Sequence, residues 1–349
     1  MRRAVCAIAL LVLAGAALAD TIAPSDDAYH LRNWSGTPAL SAYTEWWYFN
    51  VVDTTQNLQA VLVYYIANPD QLGTGGSAAN MVAIVYTPGA VTPEADPYPV
   101  TSFHASYSAA NVTLGGNSIH VAGANTYVLT GASLDGAVSW NLTFTRQATS
   151  FQGFNAAELG AAPWEKMSWL VYMPRAAVSG QLTANGVTYI VNGSGYHDHN
   201  WGEWLPKDVL WNWAQYSQSG FWFDIYDFIN ESNGLAQVSV NGTTFAFSKS
   251  QYQLVNSQWI YDPQHHLSYP TQTTVTADNG SQQLQVVMNV TQTAPLTYGF
   301  TAASQSTIYE QAVTYSGAVT ANSITLPFSG RGFKEYTAAH TTSNSNLNP

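Results

Sequence analysis

Hydrophobic and polar residues alternate with a period of two along most of the chain, which is the pattern of half-buried β-strands. Long segments with apolar residues at i, i+3, i+4 and i+7, the helix pattern, are nearly absent. Asn-Gly and Asp-Gly pairs between apolar runs favour two-residue hairpin turns. The pattern therefore predicts an all-β protein of short antiparallel strands, with strand-like runs at residues 46–52, 58–66, 81–86, 118–122, 138–145, 168–172, 187–191, 221–229, 237–240, 283–290 and 308–314.

The number of strand-like runs exceeds what one ordinary β-sandwich holds, so two β-barrel or sandwich halves are expected. No linker marks a boundary, and we place it directly after the densest polar motif. Residues 20–202 are then the N-terminal β domain, and residues 203–336 are the C-terminal β domain. The Thr-, Ser- and Asn-rich residues 337–349 are predicted to form a flexible tail.

Residues 1–19 have the features of a secretory signal peptide. Arg2 and Arg3 provide a basic start, residues 6–13 are almost wholly apolar, and Ala17-Leu18-Ala19 has the small-x-small form of a cleavage site. This segment is too short for a membrane span, and no later window offers about 20 apolar residues, so no stable membrane anchor is expected. We therefore expect the protein to be secreted or to reside in the lumen of the secretory pathway.

Eight Asn-x-Ser/Thr triplets follow this segment and, together with it, favour a glycosylated secretory protein with sugars on exposed turns. Cleavage after residue 19 would remove Cys6, the only cysteine, and with it any disulfide or thiolate chemistry. The eight candidate glycosylation sites are Asn33, Asn111, Asn141, Asn192, Asn230, Asn241, Asn279 and Asn289.

The amino-acid composition excludes some classes of protein and makes others improbable. Charged residues are 9% of the chain, and 21 acidic against 10 basic residues give a net charge of −11. Because a negative surface repels phosphate backbones, nucleic-acid binding is not expected. The aromatic content of 13%, with 12 Trp and 21 Tyr, excludes a disordered polyelectrolyte.

Residues 44–50 are the first segment that could carry chemistry. Alternation places Glu45 on the same strand face as Trp47 and Phe49. Desolvation beside large aromatic side chains would raise the pKa of the Glu45 carboxyl and suit it to proton transfer. The alternative is a structural acid that makes a hydrogen bond at the end of a strand.

Residues 196–202 are the second segment. In extended form, one face carries His197, His199 and Trp201, and the other carries Tyr196, Asp198 and Asn200. A His-x-His pair could ligate a metal, but a third ligand is needed. Glu45, Asp224 or the pair His265-His266 could serve in principle, but nothing in the sequence brings them together. We expect no metal, with one histidine in a structural hydrogen bond and the other positioning or exchanging a proton.

Residues 221–229 are the third segment. One face carries Trp222, Asp224, Tyr226 and Phe228, and the opposite face carries Asp227 among apolar residues. A cavity wall of Trp, Asp and Tyr suits an apolar ligand that needs one or two polar contacts. The alternative is that either acid pairs with Lys207, Lys249 or Arg331.

These segments together resemble the hydroxyneurosporene synthase (carotenoid 1,2-hydratase) family, which includes kievitone hydratase and is similar to the fungal Diels–Alderases. The resemblance rests on Glu-Trp-Trp-Tyr-Phe at 45–49, Gly-Tyr-His-Asp-His-Asn-Trp-Gly at 195–202 and the aromatic-acid run at 221–229, and it covers residues 25–336. It implies two lipocalin-like antiparallel β-barrel domains with an apolar pocket at or near their junction. Fold carries over between such relatives better than the reaction does.

The hydratases of this family carry a His-x-Trp pair and, further along the chain, a Tyr and an Asp. His199 and Trp201 match the pair, and Tyr226 matches the Tyr. The Asp departs from the pattern, because Asp227 follows Tyr226 directly and Asp224 precedes it by two residues. We favour Asp224, since alternation places it on the face of Tyr226.

The resemblance and the residues together predict a cofactor-free lyase that adds or removes water at a C=C bond by acid–base chemistry. Its partner would be a small apolar substrate, such as a prenylated phenolic, a polyene or a terpenoid, and a homodimer is one candidate assembly. A (hetero-)Diels–Alderase and a non-catalytic lipocalin-like carrier are the alternatives. The expected catalytic residues are Glu45, His199, Asp224 and Tyr226, and the expected substrate-binding residues are Trp47, Tyr196, His197, Asn200, Trp201, Trp222 and Asp227.

Overall fold

The computed structural model describes residues 22–37, 39–73, 76–299 and 305–340. Strands dominate this part of the chain, which confirms the predicted all-β class. Among the residues described, no helix is long and apolar enough to span a membrane. The predicted signal peptide, residues 1–19, lies outside the described residues. The helical elements are the α-helical turn α1 (Leu31–Trp34) and the 3₁₀ turns Pro24–Asp27, Leu40–Ala42, Val100–Ser102 and Lys249–Gln251.

The first sheet is antiparallel and nearly closes into a barrel. Its strands within the described residues are β1 (Tyr43–Asp53), β2 (Leu58–Ala67), β3 (Ala78–Thr87), β4 (Ala90–Tyr98), β5 (Phe103–Ala105), β6 (Val112–Leu114), β7 (Asn117–Gly123), β8 (Thr126–Ala132), β9 (Val138–Arg146), β10 (Phe151–Glu158), β11 (Lys166–Ala184) and β12 (Val187–Glu203). The spatial order is β4-β3-β2-β1-β12-β11-β9-β8-β7-β6-β5, and β10 pairs with β11 outside this order.

The second sheet is also antiparallel and forms a half-barrel, so the lipocalin-like architecture is present with one half more open than the other. Its strands in the described part are β13 (Trp211–Gln218), β14 (Phe221–Phe228), β15 (Gly234–Val240), β16 (Thr243–Ser248), β17 (Tyr252–Asp262), β18 (Leu267–Asp278), β19 (Gln282–Tyr298), β20 (Ser306–Ala321) and β21 (Ile324–Ala339). Their order is β16-β15-β14-β13-β21-β20-β19-β18-β17.

Two predicted Asn-Gly turns show why neighbouring strands pair as hairpins. Asn185-Gly186 joins β11 to β12, and Asn241-Gly242 joins β15 to β16. All four residues have positive φ, between 49° and 83°. Asn and Gly tolerate this conformation, and its twist matches that of the flanking strands.

Within the described ranges, the alternation of side chains produces three apolar cores. One fills the interior of the first sheet, one fills the concave side of the second sheet, and the third lies between the two sheets. We call this third region the junction. It contains Trp169, Trp211, Trp213 and Tyr226, whose bulky rings bring the two sheets together. The chain passes from one sheet to the other between Glu203 and Trp211, while the domain boundary after residue 202 stays a prediction.

The predicted start of the flexible tail is wrong by three residues. Residues 337–339 belong to β21, and the Thr337 side chain is fully buried. Its hydroxyl accepts a hydrogen bond from the Trp211 N–H at 2.5 Å and donates one to the Trp211 carbonyl oxygen at 3.1 Å. These bonds hold the end of the strand in the sheet, and residues 341–349 lie outside the described residues.

The eight Asn-x-Ser/Thr asparagines are all exposed or partly exposed. Asn141, Asn192 and Asn289 lie within strands rather than on turns, which differs from the expectation for most sites. Their side chains point outward because alternate residues of a strand face opposite sides of the sheet. Glycosylation itself stays a prediction.

Candidate active site and the neighbouring histidine cluster

Strand β12 separates the predicted site into two clusters. Its residues His197 and His199 contact Asp27 and Glu45 on the inner side of the first sheet. The intervening Asp198 contacts the tryptophan Trp169 at the junction. The four predicted catalytic residues are therefore not one constellation, because Glu45 and His199 lie on the first side whereas Asp224 and Tyr226 belong to the junction.

We call the group on the inner side the histidine cluster: Asp27, His30, Glu45, His197 and His199. His199 Nε2 is 2.8 Å from Glu45 Oε1, and His199 Nδ1 is 3.1 Å from Asp27 Oδ1. His197 Nε2 is 2.8 Å from Asp27 Oδ2, and its Nδ1 donates to the Tyr48 carbonyl oxygen at 2.9 Å. Among the described residues, these contacts link the four buried side chains Asp27, Glu45, His197 and His199 into one network.

His30 closes this cluster from the segment that precedes β1. Its backbone N–H donates to both Glu45 oxygens, at 3.0 and 3.2 Å, and its Nδ1 is 3.3 Å from Oε1. The His30 ring stacks flat on Trp201, with ring centroids 3.7 Å apart. The Tyr43 hydroxyl also donates to Glu45 Oε2, so the carboxylate accepts several hydrogen bonds.

The predicted raised pKa of Glu45 is wrong. Burial by itself raises it, but hydrogen bonds from His199 and His30 outweigh burial and lower the pKa of the carboxyl. The pKa of Asp27 is likewise lowered, because its interactions with His197 and His199 outweigh its burial. For His199, burial lowers the pKa, but the two carboxylates overcome it and raise the pKa. The histidine cluster therefore favours ionised carboxylates at Asp27 and Glu45 over protonated acids.

The junction holds a different acid, Asp198. Tyr196 OH donates to its Oδ2 at 2.8 Å, Trp169 Nε1 donates to the same oxygen at 2.9 Å, and Asn200 Nδ2 donates to Oδ1 at 3.1 Å. Burial raises the pKa of Asp198 to about 7, against the effect of these hydrogen bonds. The predicted substrate-binding residues Tyr196 and Asn200 thus both donate to Asp198, which shares their face of the strand.

Asp224 is the second acid of the junction and is almost completely buried. Neither carboxyl oxygen has a hydrogen bond partner among the described residues. Burial and the nearby Asp198 charge raise the pKa of Asp224 well above its usual range, against smaller opposing effects of Tyr196, Trp213 and the Ile225 backbone. The protonated form of the Asp224 carboxyl is therefore favoured.

Glu310 and Glu335 add two more acids, opposite each other in the β20–β21 pair. Tyr48 OH donates to Glu310 at 3.2 Å, and Trp211 Nε1 donates to Glu335 at 2.6 Å. Burial raises the pKa of both, and the Glu335 charge raises that of Glu310 further. Burial lowers the pKa of the neighbouring Lys334 to about 7, so this lysine offsets only part of the negative charge of the two glutamates.

Tyr226 and Trp222 belong to the aromatic wall of the junction. The Tyr226 ring lies 5.0 Å from that of Trp169, and its hydroxyl donates to Met167 Sδ at 3.6 Å. Burial raises the pKa of Tyr226 well above its usual value, so the phenol stays protonated. Trp222 stacks on Phe151 of β10 with ring centroids 5.5 Å apart.

Asp227 faces away from these groups and has a structural role. It forms an ion pair with Lys249, and it accepts hydrogen bonds from Tyr252 OH at 2.8 Å and Asn212 Nδ2 at 3.3 Å. These contacts match the alternative in which an acid merely pairs with a lysine. His265 likewise bonds Asp262, at 2.6 Å, and is therefore engaged elsewhere.

A cavity of about 480 Å³ borders the histidine cluster. His30 and Trp201 line it on one side, and Gln152 and Asn155 of β10 line it on another. The aromatic residues Phe151 and Phe154 of the same strand pack on the junction. Strand β10 therefore separates this cavity from the junction acids. A second cavity, of about 680 Å³, lies in the second sheet beside Tyr252.

The sequence interpretation missed five members of these clusters as site residues: Asp27, His30, Asp198, Glu310 and Glu335. Asp198 could have been found, because alternation places it opposite to the histidines. Asp27 and His30 lie in a segment without strand pattern, and the two glutamates come from strands that look ordinary in sequence. Their burial depends on contacts between the two sheets.

Comparison with known proteins supports the fold. No family model matches the chain, and no curated protein matches it in sequence. The solved structure of a candidate AttH protein from Nitrosomonas europaea is similar with a TM-score of 0.67 and 16% identity, over 91% of this chain and 96% of that one. Kievitone hydratase from Nectria haematococca is similar with a TM-score of 0.61 and 18% identity, over 86% of this chain and 90% of that one.

Proposed function

We propose that this protein is a hydro-lyase that adds or removes water at a C=C bond of a small apolar molecule, with Asp224 as the proton donor. The observation that carries the proposal is the state of Asp224: a buried carboxyl with no hydrogen bond partner among the described residues and a strongly raised pKa. An acid that keeps its proton at neutral pH is what protonation of an unactivated alkene requires.

Hydration would begin with transfer of the Asp224 proton to one alkene carbon, which leaves a carbocation on the other carbon and a carboxylate on the enzyme. A water molecule then adds its oxygen to the cation, and one of its protons returns to the carboxylate. Dehydration is the same sequence in reverse. Asp198, whose pKa is about 7, is suited to relay this proton from the water to the Asp224 carboxylate, which restores the acid.

The junction aromatics would stabilise the cation. Trp169, Trp213 and Tyr226 surround the acids, and the faces of such rings attract positive charge, most strongly when water is excluded. Tyr226 cannot serve as a base, since burial raises its pKa. We assign it to shaping the apolar wall rather than to proton transfer.

Substrate would reach the acids past β10. Phe151 and Phe154 of this strand cover the junction, while Gln152 and Asn155 face the cavity of about 480 Å³. Register shifts interrupt the pairing of β10 with β11 between Gln152 and Ala157, and such irregular pairing opens more easily than a continuous ladder. Displacement of β10 would join the cavity to the junction.

The likeness to kievitone hydratase and the motif resemblance to the carotenoid 1,2-hydratase family support this reaction class. Membership of that family, a substrate that is a prenylated phenolic, a polyene or a terpenoid, and secretion through the predicted signal peptide are further parts of the proposal.

The test is an assay of the purified protein with prenylated phenolics and polyenes, analysed by mass spectrometry in ¹⁸O-labelled water. Gain or loss of one water, with label incorporated on hydration, supports the proposal. An isomer of unchanged mass without label would identify a pericyclase instead, and a tightly bound, unchanged ligand would identify a carrier.

The residue assignment is tested with Asp224→Asn, which keeps the shape of the side chain but removes its acidic proton. We expect the rate to fall by about 100-fold or more, the usual contribution of a general acid. Asp278→Asn, at an exposed acid, is the matched control. Full turnover by a folded Asp224→Asn protein would overturn the assignment.

A further inference from the structure

The histidine cluster contains three ligand-type atoms in close proximity. His30 Nδ1, Glu45 Oε1 and His199 Nε2 come from three separate segments, and among the described residues the possible ligand atoms of this trio all lie within 4.8 Å of one another. Glu45 Oε1 is the shared point, 2.8 Å from His199 Nε2 and 3.3 Å from His30 Nδ1.

These separations are close to those of a zinc site. Nitrogen and carboxylate ligands lie about 2.0–2.2 Å from zinc, which in a tetrahedron places neighbouring ligand atoms roughly 3.3–3.5 Å apart. The distance from Glu45 to His30 already has this value, and that from Glu45 to His199 needs to widen by roughly half an ångström. Two imidazoles and one carboxylate leave a fourth position open for water.

Asp27 provides an independent observation. A metal-bound histidine usually donates its second ring N–H to a carboxylate, which fixes the ring. His199 Nδ1 lies 3.1 Å from Asp27 Oδ1, yet the two atoms are not aligned as a hydrogen bond. Both are buried and have no other hydrogen bond partner in the described part of the chain. A small rotation of the imidazole toward an ion would satisfy both atoms.

Aromatic stacking already orients both imidazoles. His30 stacks on Trp201 at 3.7 Å with the ring planes 4° apart, and His199 stacks on Trp47 at 4.3 Å. Ligands held by packing lose little freedom when they bind an ion. His30 and Trp201 also border the cavity of about 480 Å³, which offers a route for an ion and a water.

We propose that His30, Glu45 and His199 bind a divalent transition-metal ion of the zinc type, with Asp27 positioning His199. The sequence-based expectation of no metal arose because no third ligand could be assigned to the His-x-His pair. The structure supplies Glu45 and His30 and directs His197 to Asp27 instead. This proposal does not depend on the proposed hydro-lyase activity.

The test is metal binding by the whole protein without a histidine tag. Metal is first removed with EDTA and dialysis, and Zn²⁺ is then added back. We expect the protein to bind about one equivalent of Zn²⁺ per chain, measured by mass spectrometry and calorimetry, since a built site binds stoichiometrically. Co²⁺ in place of Zn²⁺ should give the visible bands of a four-coordinate nitrogen and oxygen site. His30→Gln should weaken binding at least about tenfold and abolish these bands.

His120→Gln is the matched control, because His120 is an exposed histidine far from the cluster in sequence, and it should bind as the wild type does. His265→Gln tests whether zinc binds instead at the partly buried pair of His265 and Asp262. Absence of stoichiometric binding by the wild type, which needs no variant to fold, would overturn the proposal. So would binding that His30→Gln leaves unchanged or that His265→Gln removes.

Discussion

Asp198 and His199 are adjacent in the sequence, but they belong to different polar clusters on opposite faces of β12. The side chain of His199 lies between two carboxylates whose pKa values are lowered. The side chain of Asp198 lies among aromatic rings that raise its pKa to about 7. Strand β12 thus separates a cluster that favours ionised carboxylates from a junction that favours protonated ones.

The pH dependence of stability should reveal Asp198. Its folded pKa of about 7 lies above the ordinary value of 3.8, so the native state holds a proton that the unfolded state releases. The free energy of unfolding should therefore fall as pH rises from about 4 to about 7, by roughly 1 kcal/mol per pH unit from this group. Urea denaturation with EDTA present measures it.

Asp198→Asn should remove this contribution and make the profile less steep, while Asp224, Glu310 and Glu335, whose pKa values are also raised, keep theirs. Asp278→Asn, at an exposed acid, should leave the slope as it is in the wild type. A slope that is the same in the Asp198→Asn protein would show that this carboxyl is ionised in the folded state.

Asp27→Asn should destabilise the first sheet strongly. Asp27 is fully buried and contacts both His197 and His199, and loss of one partner from a buried charge pair costs about 3 kcal/mol or more. Denaturant unfolding measures the loss. Asp26→Asn is the neighbouring control, because Asp26 is exposed and its side chain accepts a hydrogen bond from the Ala23 N–H at the surface. Equal effects in the two variants would contradict the role of the buried network.

Gly153→Ala should displace β10. A Cβ atom at this position would lie 2.0 Å from Trp169 Cε3, so the added methyl group has no space. Overpacking of this kind costs about 1–3 kcal/mol. Gly116→Ala is the control, since nothing lies within 4 Å of its added Cβ. Unfolding curves and tryptophan fluorescence report the effect, and an unchanged Gly153→Ala protein would disprove the close packing of β10 on Trp169.

Tyr226→Phe should retain turnover within about tenfold of the wild type, less than the loss usual for a general acid or base. The hydroxyl contacts Met167 Sδ, and its raised pKa prevents a role as base. Tyr226→Ala should lose more, because the ring packs on Trp169 and Phe228. If the Phe variant were as slow as Asp224→Asn, Tyr226 would belong to the proton-transfer machinery.

The fold could be predicted because its signals are local. Alternation identified strands, and the Asn185-Gly186 and Asn241-Gly242 turns marked hairpins, as observed. Alternation also indicated which residues of 196–202 share a face. It could not show that both faces of β12 are covered, since alternation within a strand does not show which other elements pack against it.

The candidate site was less predictable for the same reason. Four different strands contribute the acids Asp198, Asp224, Glu310 and Glu335. The pKa of each acid depends on its burial by residues of the other strands. Glu45 was correctly placed beside aromatic rings, but hydrogen bonds from His30 and His199 reverse the effect of that burial on its pKa. The sequence shows which side chains share a face of a strand, whereas the protonation of an acid depends on the residues that pack against that face.

Because β12 presents His197 and His199 to one compartment and Asp198 to the other, its pairing register with β1 and β11 is under a strict constraint. A shift of this register by one residue would turn the strand over, placing imidazoles at the interface of the sheets and the Asp198 carboxyl inside the barrel. A shift of two residues preserves the orientation.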